Sequence, residues 1–256
     1  MSDRALHDVV LRALADAPFR ASLEWRQRAL ADPMRVERFA RFLARHFYYE
    51  RVMHFFKYSR ALARVTGRRP EATVRSPAFN ALLPTVVLGS RETARAVADL
   101  VAREVKGGAL ADSIPYRDEL LRYEAAMMVA EAGPRVWRED GRGDEGRGTG
   151  APEAVEGTVL LDLAYDLPTV LPRLLQPWTE APQAPPRPVR LLVARSRHGR
   201  VAVARTDSAV ARVVELADGR RTLDELARAA DVPLEELEAT LAGLTELGAI
   251  RFATGS

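Results

Sequence analysis

The sequence predicts an α+β protein: an N-terminal α-helical domain, then a small antiparallel sheet with a winged-helix-like element. Three observations carry this. Apolar residues recur every three to four positions through much of the first half, and every second position in the hairpin region after residue 157. Residues 222–252, TLDELARAADVPLEELEATLAGLTELGAIRF, then read as helix, turn, helix and a short strand.

The first domain spans 1–137. Pro33 suits the first turn of a helix. Phe39, Leu43 and Phe47 follow at four-residue steps, with Phe42, His46, Met53 and Phe56 on the same broad stripe. This pattern predicts one long helix to about Val65, buried along that stripe. Ser90 caps a helix over 90–106, which Gly107-Gly108 should end. A further helix is expected over 116–131, with Leu120, Tyr123, Met127 and Ala130 on one side. A segment near 76–87 is helical in composition but carries Pro77 and Pro84.

Residues 138–156, REDGRGDEGRGTGAPEAVE, are rich in Gly and charge and read as a flexible linker. GRGDEG within them fits a dinucleotide fingerprint only literally. That pattern cradles pyrophosphate when it joins a strand to a helix, and here it stands in an acidic loop. The RGD at 142–144 is a chance tripeptide.

The second domain spans 157–256. GTVLLDLAYD is strand-like, LPTVLPRLLQ is a short helix, and 180–188 form a proline-rich connector. Residues 189–207 make a hairpin: Val189, Leu191 and Val193 alternate on one strand, Val201 and Val203 on the other, with Arg197-His198-Gly199 near the turn. Helices follow at about 208–217, 222–230 and 233–247, then a short strand at 250–252.

Composition bounds the function. The chain has 256 residues and no cysteine, which removes disulfides, thiolate metal sites and a cysteine nucleophile. No apolar run approaches the ~20 residues of a bilayer span. The N-terminal MSDRALHDVVLRALADAP carries acids and does not read as a signal peptide, so a cytoplasmic location is expected. The net charge of +3 is unevenly spread: residues 1–150 hold 26 Lys+Arg against 20 Asp+Glu, and residues 151–256 hold 12 against 15. The basic half is therefore not the half that resembles a DNA reader.

A recognition helix must offer donors to base edges and meet phosphates with cations. Residues 233–247 present Glu235, Glu236, Glu238 and Glu246 and contain no Arg, Lys, Asn or Gln. A winged-helix transcription regulator is thus the alternative reading; it would rest on Arg195, Arg197, Arg200 and Arg205 of the hairpin. The reading preferred here is that the sheet margin accepts an extended peptide as a further strand. Val201, Val203 and Arg205 of the last hairpin strand, with Leu237, Leu241 and Leu244 of the last helix, are the candidate peptide-binding residues.

No catalytic constellation stands out. His46, Glu50 and His54 share a helix face by spacing and include possible metal ligands, but RHFYYERVMHFF reads equally as an ordinary helix face. No serine sits in a nucleophile elbow. A protein without catalytic residues or a metal site of its own is expected.

The order of these pieces resembles the partner subunits of multinuclear non-heme iron-dependent oxidases, the accessory proteins of methanobactin- and bufferin-type peptide modification. RFLARHFYYERV (41–52) looks like that family's long helix. IPYRDELLRYEAAMMVAE (114–131) is similar to its Pro-Tyr…Glu helix, at Pro115, Tyr116, Tyr123 and Glu124. LLDLAYDLPTVLPRLL and VRLLVARSRHGRVAVARTDSAVARVVELADGRRTLDELA look like its C-terminal part. The Gly-rich stretch 138–156 departs from the family's compact pattern. The resemblance implies a non-catalytic heterodimer partner with no cofactor of its own. The iron would sit in a separate oxidase chain, and the leader of a precursor peptide would add to the small sheet.

Overall fold

In a computed structural model the chain is α+β and divides into two compact units, 1–128 with 170–183, and 129–169 with 184–256. The structure describes residues 3–28, 32–106, 114–133, 150–196 and 198–252. The Gly107-Gly108 stop, Arg197, the GRGDEG and RGD motifs and most of the expected linker lie outside them. Among the described residues no helix is long and apolar enough to cross a membrane.

The first unit is helical. It opens with α1 (Asp3–Ala15), α2 (Ala17–Ala21) and α3 (Leu23–Arg26), followed by α4 (Pro33–Phe55) and α5 (Lys57–Thr66). Asp32 caps α4 by accepting from the Arg35 N–H at 2.8 Å, and Pro33 occupies its first turn. The buried line of α4 is Ala40, Ala44, Tyr48, Val52 and Phe55, about one residue round from the expected stripe. Phe39 and Phe42 instead stand 49% and 60% exposed, stacked on each other. The physical reason is the two alanines: a helix that packs against both α1 and the 3-10 turn at Pro70–Arg75 presents its small residues inward.

The single long helix expected to Val65 breaks at Phe56. The cause lies on α8 (Arg117–Glu131), reached after α6 (Pro77–Leu82) and α7 (Arg91–Lys106). Glu124, fully buried on α8, accepts from the Tyr58 N–H at 2.7 Å and the Ser59 N–H at 3.2 Å, and bonds the Ser59 hydroxyl. Those amides are free only because a new helix starts there, so the carboxyl caps α5 from outside it. Two turns earlier on α8, the buried Arg117 donates to the Val105 carbonyl in the last turn of α7. One helix thus sets a carboxyl at a neighbour's N-terminus and a guanidinium at another's C-terminus, each bonded to backbone groups that a helix end leaves unpaired. Tyr116, also buried, donates to the Pro182 carbonyl at 2.5 Å and ties in the proline-rich segment.

The second unit holds β1 (Pro152–Ala154), β2 (Val159–Leu163), β3 (Val189–Arg195), β4 (Val201–Thr206), α10 (Ser208–Leu216), α11 (Leu223–Ala230), α12 (Leu234–Glu246) and β5 (Ile250–Phe252). The division between the units falls inside α9 (Leu167–Leu174). Strands β2, β3 and β4 form an antiparallel sheet in that order. Strand β1, inside the stretch read as linker, pairs with β5, and Val155 N–H donates to the Ala249 carbonyl at 2.8 Å.

Side chains alternate across the sheet. Leu192 and Ala194 of β3 enter one core with Val213, Leu226, Leu237, Leu241, Leu244 and Ile250, so α10 to α12 cover that face. Leu191 and Val193 are buried on the opposite face. At the end of α12, Gly248 takes φ +76°, and a Cβ there would lie 2.1 Å from the Arg195 carbonyl oxygen. The helix terminus and the end of β3 therefore touch backbone to backbone.

Two outcomes follow. Gly248→Ala should lose about 2 kcal/mol or more in urea unfolding, since neither the left-handed backbone nor the clash can relax cheaply. Burial pushes the Glu124 carboxyl up to about 8, its amide and hydroxyl bonds and Lys57 opposing without prevailing. The folded state then holds a proton that the unfolded chain has released. Its stabilisation is full below the ordinary value of 4.5 and is lost as pH rises towards 8. Glu124→Gln should flatten this slope in melting temperature measured from pH 5 to 8.

Candidate functional site

The ladder between β3 and β4 decides what the sheet margin offers. Its register pairs Leu191 with Arg205, Leu192 with Ala204, Val193 with Val203, Ala194 with Ala202 and Arg195 with Val201. At the turn, Ser196 N–H donates to the Arg200 carbonyl and Gly199 N–H to the Ser196 carbonyl, both at 2.8 Å. Gly199 has φ +75°, the conformation such a closing residue needs. Antiparallel pairs alternate between hydrogen-bonded and non-bonded. Counting from the Ser196–Arg200 pair, Ala202, Ala204 and Thr206 bond inward to β3. The N–H and C=O groups of Val201, Val203 and Arg205 point to the free side.

Strand β4 is an edge of its sheet, and among the described residues no strand pairs with that free side. No other described backbone group bonds the amides or carbonyls of Val201, Val203 or Arg205. The expected candidates Val201, Val203 and Arg205 are therefore brought together, on one strand and one face. Val203 is 37% exposed at the centre.

Leu237, Leu241 and Leu244 are not brought to them. All three are buried in the core on the Leu192 face, whereas Val203 pairs with Val193 on the other. They fill the core beneath the sheet and do not line a groove beside Val203. The sequence spacing that placed them on one helix face was right about the face; it could not say which side of the sheet the face would meet. The residues on the helix side of the margin are Ala202 and Ala204, both half-buried. Two alanines in an alternating strand are the only sequence trace of them.

Arg205 has a partner the sequence reading missed. Its guanidinium donates to Asp166 Oδ1 at 2.6 Å, and Arg187 bonds the other oxygen of the same carboxylate. Asp166 has no exposed surface. Burial works to raise its pKa, but the hydrogen bonds from Arg187, Arg205 and Thr169 together outweigh this and hold it below the usual aspartate value. Its stabilising contribution is present at neutral pH and fades only as pH falls below that ordinary value. The visible signal was an aspartate just before Leu-Pro, a common helix entry; its pairing with two distant arginines had none. Arg190 is similarly engaged with Asp162 at 2.5 Å.

The exposed side of α12 carries Glu235, Glu236, Glu238 and Glu246, as the sequence indicated. His46, Glu50 and His54 are exposed on α4; His46 stacks on Phe42, and His54 meets Phe55 edge-on. Among the described residues no three His, Asp or Glu are gathered to hold a metal ion.

Proline substitution tests the ladder. Val203→Pro removes an outward N–H and should change unfolding free energy by about 1 kcal/mol or less. Ala204→Pro removes an inward one and strands a carbonyl of β3, and should cost roughly 2–3 kcal/mol. Equal losses from both would reverse the assigned parity. Comparison with known protein families finds no match to this chain, and comparison with curated proteins finds none.

Proposed function

We propose that this chain is a non-catalytic partner subunit that binds the leader of a precursor peptide by strand addition along β4. It presents that peptide to a multinuclear iron-dependent oxidase carried on a separate chain, in the cytoplasm. The observation that supports this best is the outer edge of β4, which no strand among the described residues pairs and where three successive alternate residues hold out backbone donors and acceptors. The carboxylates along the exposed side of α12 favour it over DNA reading, because each would repel a phosphate. The oxidase in the proposal rests on the resemblance of the helical stretches and of the C-terminal part.

Magnitudes set what the edge can do alone. Three residues offer about six hydrogen bonds, each worth roughly 1 kcal/mol net. Association costs of several kcal/mol oppose them. A micromolar complex needs about −8 kcal/mol, so side-chain contacts must add to the ladder. Once bound, the leader holds the rest of the peptide near the oxidase at an effective concentration on the order of millimolar.

The test is fluorescence polarisation with the full chain and the labelled leader of a short peptide encoded beside it. Roughly micromolar binding is expected, weakened at least tenfold by Val203→Pro, while co-purification with the neighbouring oxidase persists in that variant. Absence of leader binding both with and without the oxidase would sink the proposal.

A further inference from the structure

Resting on strand addition at β4, we infer that the guest is an acidic peptide with alternating apolar residues, its carboxylates seated at the turn end of the strand. The hairpin is a basic island in an acidic unit. Residues 151–256 hold 12 Lys+Arg against 15 Asp+Glu, yet Val189–Thr206 contain five arginines and no carboxylate. Two of the five are engaged: Arg190 with Asp162, and Arg205 with Asp166. Arg195 and Arg200 pair with no carboxylate among the described residues, and both lie at the Ser196–Arg200 turn. The Arg195 guanidinium reaches it, 3.7 Å from where a Cβ on Gly199 would stand.

Side chains of a guest strand would alternate as those of β4 do. On the helix side they would meet Ala202 and Ala204, half-buried residues whose side chains are a single carbon. Larger apolar residues fit there. On the other side they would meet Val203, with Arg195 beyond it across the Val201 pair. Carboxylates on that side, near the turn, gain from Arg195, which gives up no carboxylate partner; Arg200, on the Ala202 face by the same alternation, adds its charge at the end of the strand. A nucleic acid could also approach these arginines, but it has no alternating donors and acceptors to match the edge.

The probes are fluorescein-labelled ten-residue peptides with Leu at every second position and Asp, Ser or Lys between. The full chain should bind the Asp peptide at least tenfold more tightly than the Ser peptide, and the Lys peptide weakest. Arg195→Glu with Arg200→Glu should reverse that order, with circular dichroism confirming the fold. Val203→Pro should weaken every peptide. Ser and Lys peptides binding as tightly as Asp, with Val203→Pro still weakening all three, would overturn the acidic preference and leave strand addition standing. Binding of the Asp peptide unaffected by Val203→Pro would place the contact elsewhere and overturn the inference. Binding of none of the three counts against both readings. Tighter binding of duplex DNA than of the Asp peptide, lost in the Arg195→Glu/Arg200→Glu variant, would overturn it in favour of a nucleic-acid wing.

Discussion

The parity of the β3–β4 ladder is the constraint on which the second unit depends. A shift of one residue would turn Leu192 and Ala194 out of the core and Leu191 and Val193 into it. If β4 slipped instead, the outward amides of Val203 and Arg205 would turn inward. Two local features hold the parity. The Ser196–Arg200 closure starts the count at the turn, and Gly248, packed against the Arg195 carbonyl, admits no sliding of β3 along the end of α12. Hydrophobic burial on one face and backbone contact at one end thus fix which polar groups of β4 face away from β3.

The first unit is organised differently, by polar side chains placed at helix ends. Along α8, Arg117 meets the carbonyl terminus of α7 and Glu124 the amide terminus of α5. A buried carboxyl is costly unless it is hydrogen-bonded. Glu124 is bonded, and the bond requires α4 to stop where it does. The aromatic side chains that pattern suggested were core, Phe39 and Phe42, lie outside because Ala40 and Ala44 allow α4 to approach its neighbours closely.

Much of this was legible. Pro33, Ser90, the helix over 116–131, the hairpin and the three final helices all follow from caps, turns and periodicity, which are local. What escaped reading depends on partners distant in sequence. The break at Phe56 needs Glu124, 66 residues away from Tyr58. Strand β1 needs β5, and the Asp166 cluster needs Arg187 and Arg205. The strand half of the candidate site was legible because alternation fixes which residues share a face. The helix half was not, since Leu237, Leu241 and Leu244 look alike whether they line a groove or fill a core.

The environment of Glu124 has a calorimetric consequence. An acid that ionises near 4.5 in the extended chain and about 8 inside the folded unit must be neutralised as that unit forms at pH 7. Folding there draws nearly one hydrogen ion from solution. The measured heat of folding therefore includes the ionisation heat of whichever buffer supplies that ion, and differs between phosphate and Tris although the protein's own contacts are the same.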